Sequence, residues 1–285
     1  MNDRGLSVAR SQAFRTKGWL EHCADSSLGR WVAASQAAWA GRKLYRGLLW
    51  LRTGGKGFRC ALPEGEVVRV LPEFRYVTWN EDEYRAFREA VTPGSVVLDV
   101  GANIGNYSVL FGQWVGTAGR VFAFEPDVET CHGLRRHIAL NGLARRVTPL
   151  QLAVSSSKGE AFFTTDGASG THRLAAKTQN SKGLSVATTS VDAFCAEQGI
   201  RPAVIKIDVE GAELDVLRGA RETLKNTQEA KVFVEMHPRI WPQIGLARKD
   251  VEEELRQQGF RAEPLAACAD PWVMEGVCLR LVREK

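Results

Sequence analysis

The chain has 285 residues, 44% hydrophobic and 25% charged, with 38 Lys/Arg against 33 Asp/Glu and a formal net charge of +5. This is ordinary globular composition with ample material for a stable core, which excludes long disorder, collagen-like repeats and disulfide miniproteins. No run approaches about 18 uncharged apolar residues, so the sequence offers no membrane-spanning helix.

The charge is unevenly placed. Residues 1–60 carry 11 basic and 3 acidic groups, leaving 27 basic and 30 acidic for the remainder. The excess belongs to an N-terminal extension, residues 1–57, and two readings stay open for it. One is a solvated basic arm; the other is peripheral contact with an anionic surface such as membrane headgroups. Residues 28–52 carry apolar groups near a period of 3.6 (Trp31, Ala34, Ala38, Tyr45, Leu48, Leu49) with Arg30, Arg42, Lys43 and Arg46 between them. That pattern predicts an amphipathic helix, either docked on its own domain or lying at an interface. The six cysteines, Cys23, Cys60, Cys131, Cys195, Cys268 and Cys278, form no C-x-x-C pair. They read as buried thiols in a reducing cytoplasm, and the first residues lack an apolar signal core.

Beyond the break at Thr53–Gly57, a larger domain is expected over 58–285. Residues 58–71 predict a hairpin turning at Pro63–Glu66. Residues 80–90 predict a helix with Tyr84, Phe87 and Ala90 inward. From residue 93 the pattern becomes strand–helix–strand: strands at 96–100, 120–125, 147–154, 203–207, 231–236 and 277–283, with further candidates at 160–165 and 186–190. Helices are expected at 104–115, 128–140, 212–224 and 249–258. Continuous apolar runs such as Val96-Val97-Leu98-Asp99-Val100 suit parallel strands covered on both faces. The fold class is therefore α/β, an open, doubly wound, mostly parallel sheet.

Two junctions carry chemistry. The first is Leu98-Asp99-Val100-Gly101-Ala102-Asn103-Ile104-Gly105-Asn106-Tyr107, a strand–loop–helix turn. Gly101 permits a tight turn, Gly105 permits close packing, and helix N-terminal amides are expected to face the crevice at the strand ends. Glu125, ending the second strand before Pro126, is placed to accept hydrogen bonds from ribose hydroxyls. The loop is Gly-x-x-x-Gly and lacks the middle glycine that admits a pyrophosphate, which weakens a dinucleotide reading.

The second junction is Lys206-Ile207-Asp208-Val209-Glu210-Gly211-Ala212-Glu213. In a doubly wound sheet this strand lies beside the first, so Asp208 enters the crevice that holds Asp99. Alternation puts Lys206, Asp208 and Glu210 on a common side if the strand continues that far. Adjacent carboxylates can raise one another's pKa or hold a divalent metal, and both options stay open. Glu213 also suits a first helical turn. The next strand ends Glu235-Met236-His237, and His237 is the candidate base. His132 and His137 are expected at the surface, and loop 166–185 is a candidate mobile lid containing His172.

Taken together, LDVGANIGNYS, FAFEP and IKIDVEGAELDVLRGA resemble the FkbM-type S-adenosylmethionine-dependent methyltransferases over roughly residues 75–260. The resemblance implies a class I methyltransferase fold with seven strands, six in one direction and one reversed near the C-terminus. It implies a methyltransferase domain over 58–285, with 58–92 preceding a Rossmann-like core at 93–285. It also implies methylation of a hydroxyl on a glycan, polyketide or other specialised metabolite. The cofactor would meet Asp99, Gly101, Ala102, Asn103, Gly105, Asn106 and Tyr107, with Glu125 on the ribose. Pro126, Asp127 and Leu152–Val154, centred on Ala153, would line the adenine. Asp208, itself also a cofactor contact, would with Glu210 and Lys206 orient the acceptor, beside His237. Three other readings remain: a nicotinamide-dependent dehydrogenase, a non-catalytic nucleoside-binding protein, and a nucleic-acid methyltransferase. Members of the last class that act on exocyclic amines usually carry an Asn/Asp-Pro-Pro-aromatic tetrad where this chain has Asp208-Val209-Glu210-Gly211, and no nucleic-acid partner is expected.

Overall fold

The computed structural model describes residues 44, 47–75, 77–164, 173–175, 183–266, 268 and 270–284. Most of the expected helix 28–52, most of loop 166–185 and His172 lie outside the described residues. The chain divides into two compact units, one running to Glu81 and including Ala139–Gly142, the other formed by Asp82–Ile138 and Leu143–Lys285.

The first unit holds a short helix over 47–52 and the hairpin of β1 (Phe58–Ala61) and β2 (Val67–Val70). The pairing is antiparallel, as the turn residues predict. Asn141 closes the hairpin edge: its Oδ1 accepts from Arg69 N at 2.8 Å and its Nδ2 donates to Arg69 O at 2.9 Å.

The second unit is built on a seven-stranded sheet in the order β12-β13-β11-β10-β3-β4-β5. Its members are β3 (Val96–Val100), β4 (Arg120–Phe124), β5 (Val147–Leu150), β10 (Val204–Ile207), β11 (Lys231–Met236), β12 (Phe260–Pro264) and β13 (Val277–Arg283). The pairs from β5 through β11 are parallel, and β13 is antiparallel to both neighbours. Six strands thus share one direction and one is reversed, as expected. The central strands are apolar because both faces are covered: Val97, Leu98, Val100, Val204, Ile205, Ile207, Val232 and Val234 are at most 1% exposed. The α-helices that follow the hairpin are α1 (Glu81–Ala90), α2 (Asn106–Trp114), α3 (Val128–Leu140), α4 (Val191–Gln198), α5 (Glu213–Arg218), α6 (Arg221–Asn226) and α7 (Arg248–Gln257).

Three expectations are corrected. The strand expected over 147–154 is two: β5 ends at Leu150 on the sheet edge, where Pro149 is tolerated, and β6 (Ala153–Val154) joins a second sheet. That second sheet, ordered β6-β9-β7-β8, also takes β7 (Gly159–Thr164), β8 (Arg173–Ala175) and β9 (Gly183–Thr189). The helix expected over 212–224 breaks at Gly219, whose carbonyl accepts from Asp192 N at 2.8 Å. A Cβ there would lie 2.2 Å from Ser155 O, and the Asp192 carboxyl restarts the helix by accepting from Glu222 N and Thr223 N. The sequence signal misses β12, a mixed-polarity strand at the sheet edge.

The adjacency of β3 and β10 depends on Gly101. Asp208 N donates to Val100 O at 2.9 Å, and a Cβ on Gly101, at φ +78°, would fall 1.7 Å from Asp208 O. Gly101→Ala is expected to lose more than about 2 kcal/mol of unfolding free energy, combining left-handed backbone strain with displacement of the Asp208 peptide. Urea unfolding checks this; wild-type stability in the variant would contradict the packing of the two strand tips.

Candidate active site

Three neighbouring strands deliver side chains to one crevice. β3 brings Asp99, β10 brings Lys206 and leads to Asp208, and β11 brings Glu235 and leads to His237. Parallel register sets Lys206 against Asp99. The Lys206 Nζ lies 3.2 Å from Asp208 Oδ2 and 3.7 Å from Asp99 Oδ1, and Ser108 Oγ donates to Asp99 Oδ2 at 2.5 Å. Burial alone would lower the Lys206 pKa; Asp208, Asp99, Glu235 and Glu83 overcome that and hold it well above the ordinary value. Lys206 is therefore a fixed ammonium that anchors two carboxyls, and it cannot accept a proton as a catalytic base would. Burial pushes the Asp99 carboxyl up, against the Lys206 charge and the Ser108 hydrogen bond.

A second node fixes the histidine. Glu213, fully buried, accepts from Gly211 N at 2.8 Å and from Trp241 Nε1 at 2.9 Å. Its Oε1 also lies 2.8 Å from His237 Nδ1. A carboxylate only accepts, so the Nδ1 proton belongs to this bond and Nε2 is the ring atom left for chemistry. Nε2 lies 3.7 Å from Glu235 Oε1 and 3.9 Å from Asp208 Oδ1. Burial would lower the His237 pKa, but the Glu213 hydrogen bond and charge, joined by Asp208 and Glu235, raise it to about 9. His237, the expected base, thus turns Nε2 toward Asp208 and Glu235. Burial and then the Asp208 charge push Glu235 up to about 7, against Lys206.

The expected companionship of Asp208 and Glu210 is also corrected. The strand ends at Ile207 and Glu210 adopts φ +45°, which breaks the alternation. Its charge acts on Glu125, and the groups that gather around Asp208 are Glu235 and His237. Sequence reading missed Glu83, which is 7% exposed on α1, is hydrogen-bonded with Tyr107 and feels the Lys206 charge. The signal was present: Glu83 stands one turn before Phe87, on the face whose ring meets Tyr107 and Phe233 at centroid distances of 4.9 Å.

The glycine loop is internally closed. Gly101 N and Ala102 N both donate to Phe124 O, Gly105 N donates to Ala102 O, and Ile104 N donates to Asn103 Oδ1. Asn103, at φ +51°, sends its N–H to Glu125 Oε2 at 3.0 Å, and Asp127 N donates to Glu125 Oε1 at 2.9 Å. The amides of residues 101–105 are therefore committed within the loop and to Glu125. Each Glu125 oxygen keeps a second acceptor position, which suits a pair of neighbouring hydroxyls. Burial first, then the Asp127 and Glu210 charges, raise Glu125 to about 7 against its two backbone hydrogen bonds. Pro126 follows directly, and Ala153 is buried in β6. His132 is exposed as expected; His137 is buried and donates from Nδ1 to Ile104 O at 2.7 Å, bracing the loop's far side.

Removing Glu213 would strand three buried donors at once. Glu213→Ala is expected to cost about 3 to 5 kcal/mol of unfolding free energy. Denaturant titration measures it, and a loss below about 1 kcal/mol would contradict the node.

Comparison with known proteins follows the same residues. The Methyltransferase FkbM domain matches residues 99–262. The hexuronic acid methyltransferase AglP of Haloferax volcanii is 32% identical over 199 residues, covering 69% of this chain and 76% of that protein. The 2-O-methyltransferase NoeI of Sinorhizobium fredii is 29% identical over 153 residues, covering 48% of this chain and 61% of that protein. Among solved structures, the methyltransferase FkbM of Methylobacillus flagellatus KT aligns with a TM-score of 0.44 at 19% identity, over 74% of this chain and 52% of that one. The matched span opens at Asp99 and carries Glu125, Asp208, Glu213 and His237 before closing inside β12: the chain belongs to the FkbM family of S-adenosylmethionine-dependent methyltransferases.

Proposed function

We propose that the protein methylates a hydroxyl oxygen of a sugar or sugar-containing metabolite. The observation that carries this reading is the pair of acceptor-rich stations at the ends of neighbouring parallel strands, one after β4 and one after β10 and β11. Glu125, with both oxygens oriented by backbone amides, stands on one side of the glycine loop, and Asp208, Glu235 and His237 gather at the strand tips beside Asp99. Two relatives, a hexuronic acid methyltransferase and a 2-O-methyltransferase, support the same acceptor class.

The donor set fits S-adenosylmethionine. Glu125 would accept from the ribose hydroxyls, and Asp99, whose Oδ1 is buried without a hydrogen-bond partner, would face the cationic methionine end. The turn from Gly101 and Ala102 through Asn103 and Gly105 to Asn106 and Tyr107 would shape the floor, and Pro126, Asp127 and Ala153 the adenine side. The bound cofactor supplies an electrophilic methyl on a positively charged sulfur. The chain's task is then to align an acceptor oxygen and take its proton, and alignment alone supplies several kcal/mol. Lys206 holds Asp208 by Oδ2, leaving Oδ1 toward the acceptor side with Glu235. The two carboxyls receive and orient the hydroxyl while His237, locked by Glu213, fixes the third side of the site.

Two substitutions separate the stations. Glu125→Ala is expected to weaken cofactor binding at least ~10-fold by calorimetry, because it removes a paired acceptor. Asp208→Asn should keep cofactor affinity within about twofold yet lower turnover by ~100-fold or more. Equal effects on binding and turnover in both variants would contradict the division. Ribose hydroxyls donate to the ionised form of Glu125, whose pKa stands at about 7. Cofactor affinity should therefore fall as pH drops from 8 to 6, and Glu125→Gln should flatten that slope. Labelled methyl appearing on an acceptor's amine or carbon would overturn the oxygen-directed reading, and labelled methyl on its carboxyl would overturn the hydroxyl assignment.

A further inference from the structure

We propose that Asp208, Glu235 and His237 form a binding site for one divalent cation, of the magnesium or manganese class, that captures the oxygens of the acceptor. The first support is the spacing of the three groups. His237 Nε2 is aimed between Glu235 Oε1 at 3.7 Å and Asp208 Oδ1 at 3.9 Å, beyond hydrogen-bond reach of either, while its side chain is 10% exposed. The three ligand atoms lie within 4.8 Å of one another. Ligands on a shared small cation sit about 3 to 3.5 Å apart, so the two distances from Nε2 need less than about 1 Å of closure and the widest separation in the cluster at most about 2 Å.

The second support is the outer shell. Metal-binding histidines send their other ring N–H to a carboxylate or carbonyl, which fixes the tautomer and aims the ligating nitrogen. His237 does so on Glu213, and Glu213 is itself held by Trp241 Nε1 and Gly211 N. The Asp208 carboxyl is divided in the same sense: Oδ2 meets Lys206 and Oδ1 faces the gap.

Two oxygen ligands and one imidazole suit a hard or borderline cation and leave about three positions open. The rest of the inference depends on the methyl-transfer reading. A hydroxyl bound at an open position loses its proton to solvent more readily. The acceptor oxygen then forms its bond to the methyl carbon as the carbon–sulfur bond breaks, and that electron pair stays on sulfur as a neutral thioether. A neighbouring hydroxyl or carboxylate of a sugar completes a chelate, which selects acceptors carrying two adjacent oxygens.

The test is a titration of chelator-stripped full-length protein with manganese(II), followed by the spin-resonance signal of the free ion. One ion per chain is expected, with affinity lowered at least ~10-fold in His237→Ala and in the milder Glu235→Gln, and unchanged in Glu125→Gln. Folding of each variant is checked by its melting curve. No binding by folded wild-type protein at about 1 mM ion, or binding indifferent to both substitutions, overturns the site. S-adenosylmethionine affinity of the stripped protein, measured separately, keeps the two readings apart. Retained cofactor binding with methylation lost and then restored by manganese or magnesium supports the role. Full methylation in excess chelator overturns the cation's role and leaves methyl transfer standing. Absent cofactor binding overturns methyl transfer, and the titration alone then decides the site.

Discussion

A buried lysine between two strand tips organises this molecule. Lys206 sits on β10 in register with Asp99 of β3, and its ammonium bridges Asp99 and Asp208 in a crevice where all three would be costly alone. That bridge exists only because the β3 and β10 tips nearly touch, which the missing side chain of Gly101 allows. A charge network this deep contributes little net stability compared with well-packed apolar groups. Its value lies in pre-orientation: Asp208 is held by one oxygen, and the other is presented.

Glu213 plays the corresponding part on the acceptor side. It lies at the start of α5, where a carboxyl suits the helix dipole, yet its oxygens are occupied by the Gly211 amide, the Trp241 indole and the His237 ring. The turn that carries it places Gly211 at φ +105°, where a Cβ would lie 2.6 Å from Ile240 Cγ2. The segment Val209–Glu213 is thus a brace that fixes the histidine of the next strand, and its sequence is constrained by that task as much as by helix formation.

The parallel sheet was legible because its strands are short continuous apolar runs between helical periods, and strands such as 231–236 and 277–283 match residue for residue. The glycine loop, Glu125, Asp208 and His237 were legible for a related reason: chemistry at strand ends follows from topology once the order of strands is fixed. What escaped depends on contacts distant in sequence. Glu210 leaves the Asp208 side through one left-handed residue, and His137 is buried by the Ile104 carbonyl, 33 positions away. The spacing of α1 puts Glu83 on the buried face with Phe87, but what that face meets, Tyr107 and Phe233, lies far away in sequence. The break at Gly219 likewise answers to Ser155 and Asp192, not to helix propensity.

The most direct measurement is a crystal structure of the full chain with S-adenosylhomocysteine. The account predicts the nucleoside hydroxyls on Glu125 and the sulfur turned toward the space enclosed by Asp208, Glu235 and His237. A nucleoside bound away from Glu125, or a sulfur facing a crevice sealed by packed side chains, would contradict it.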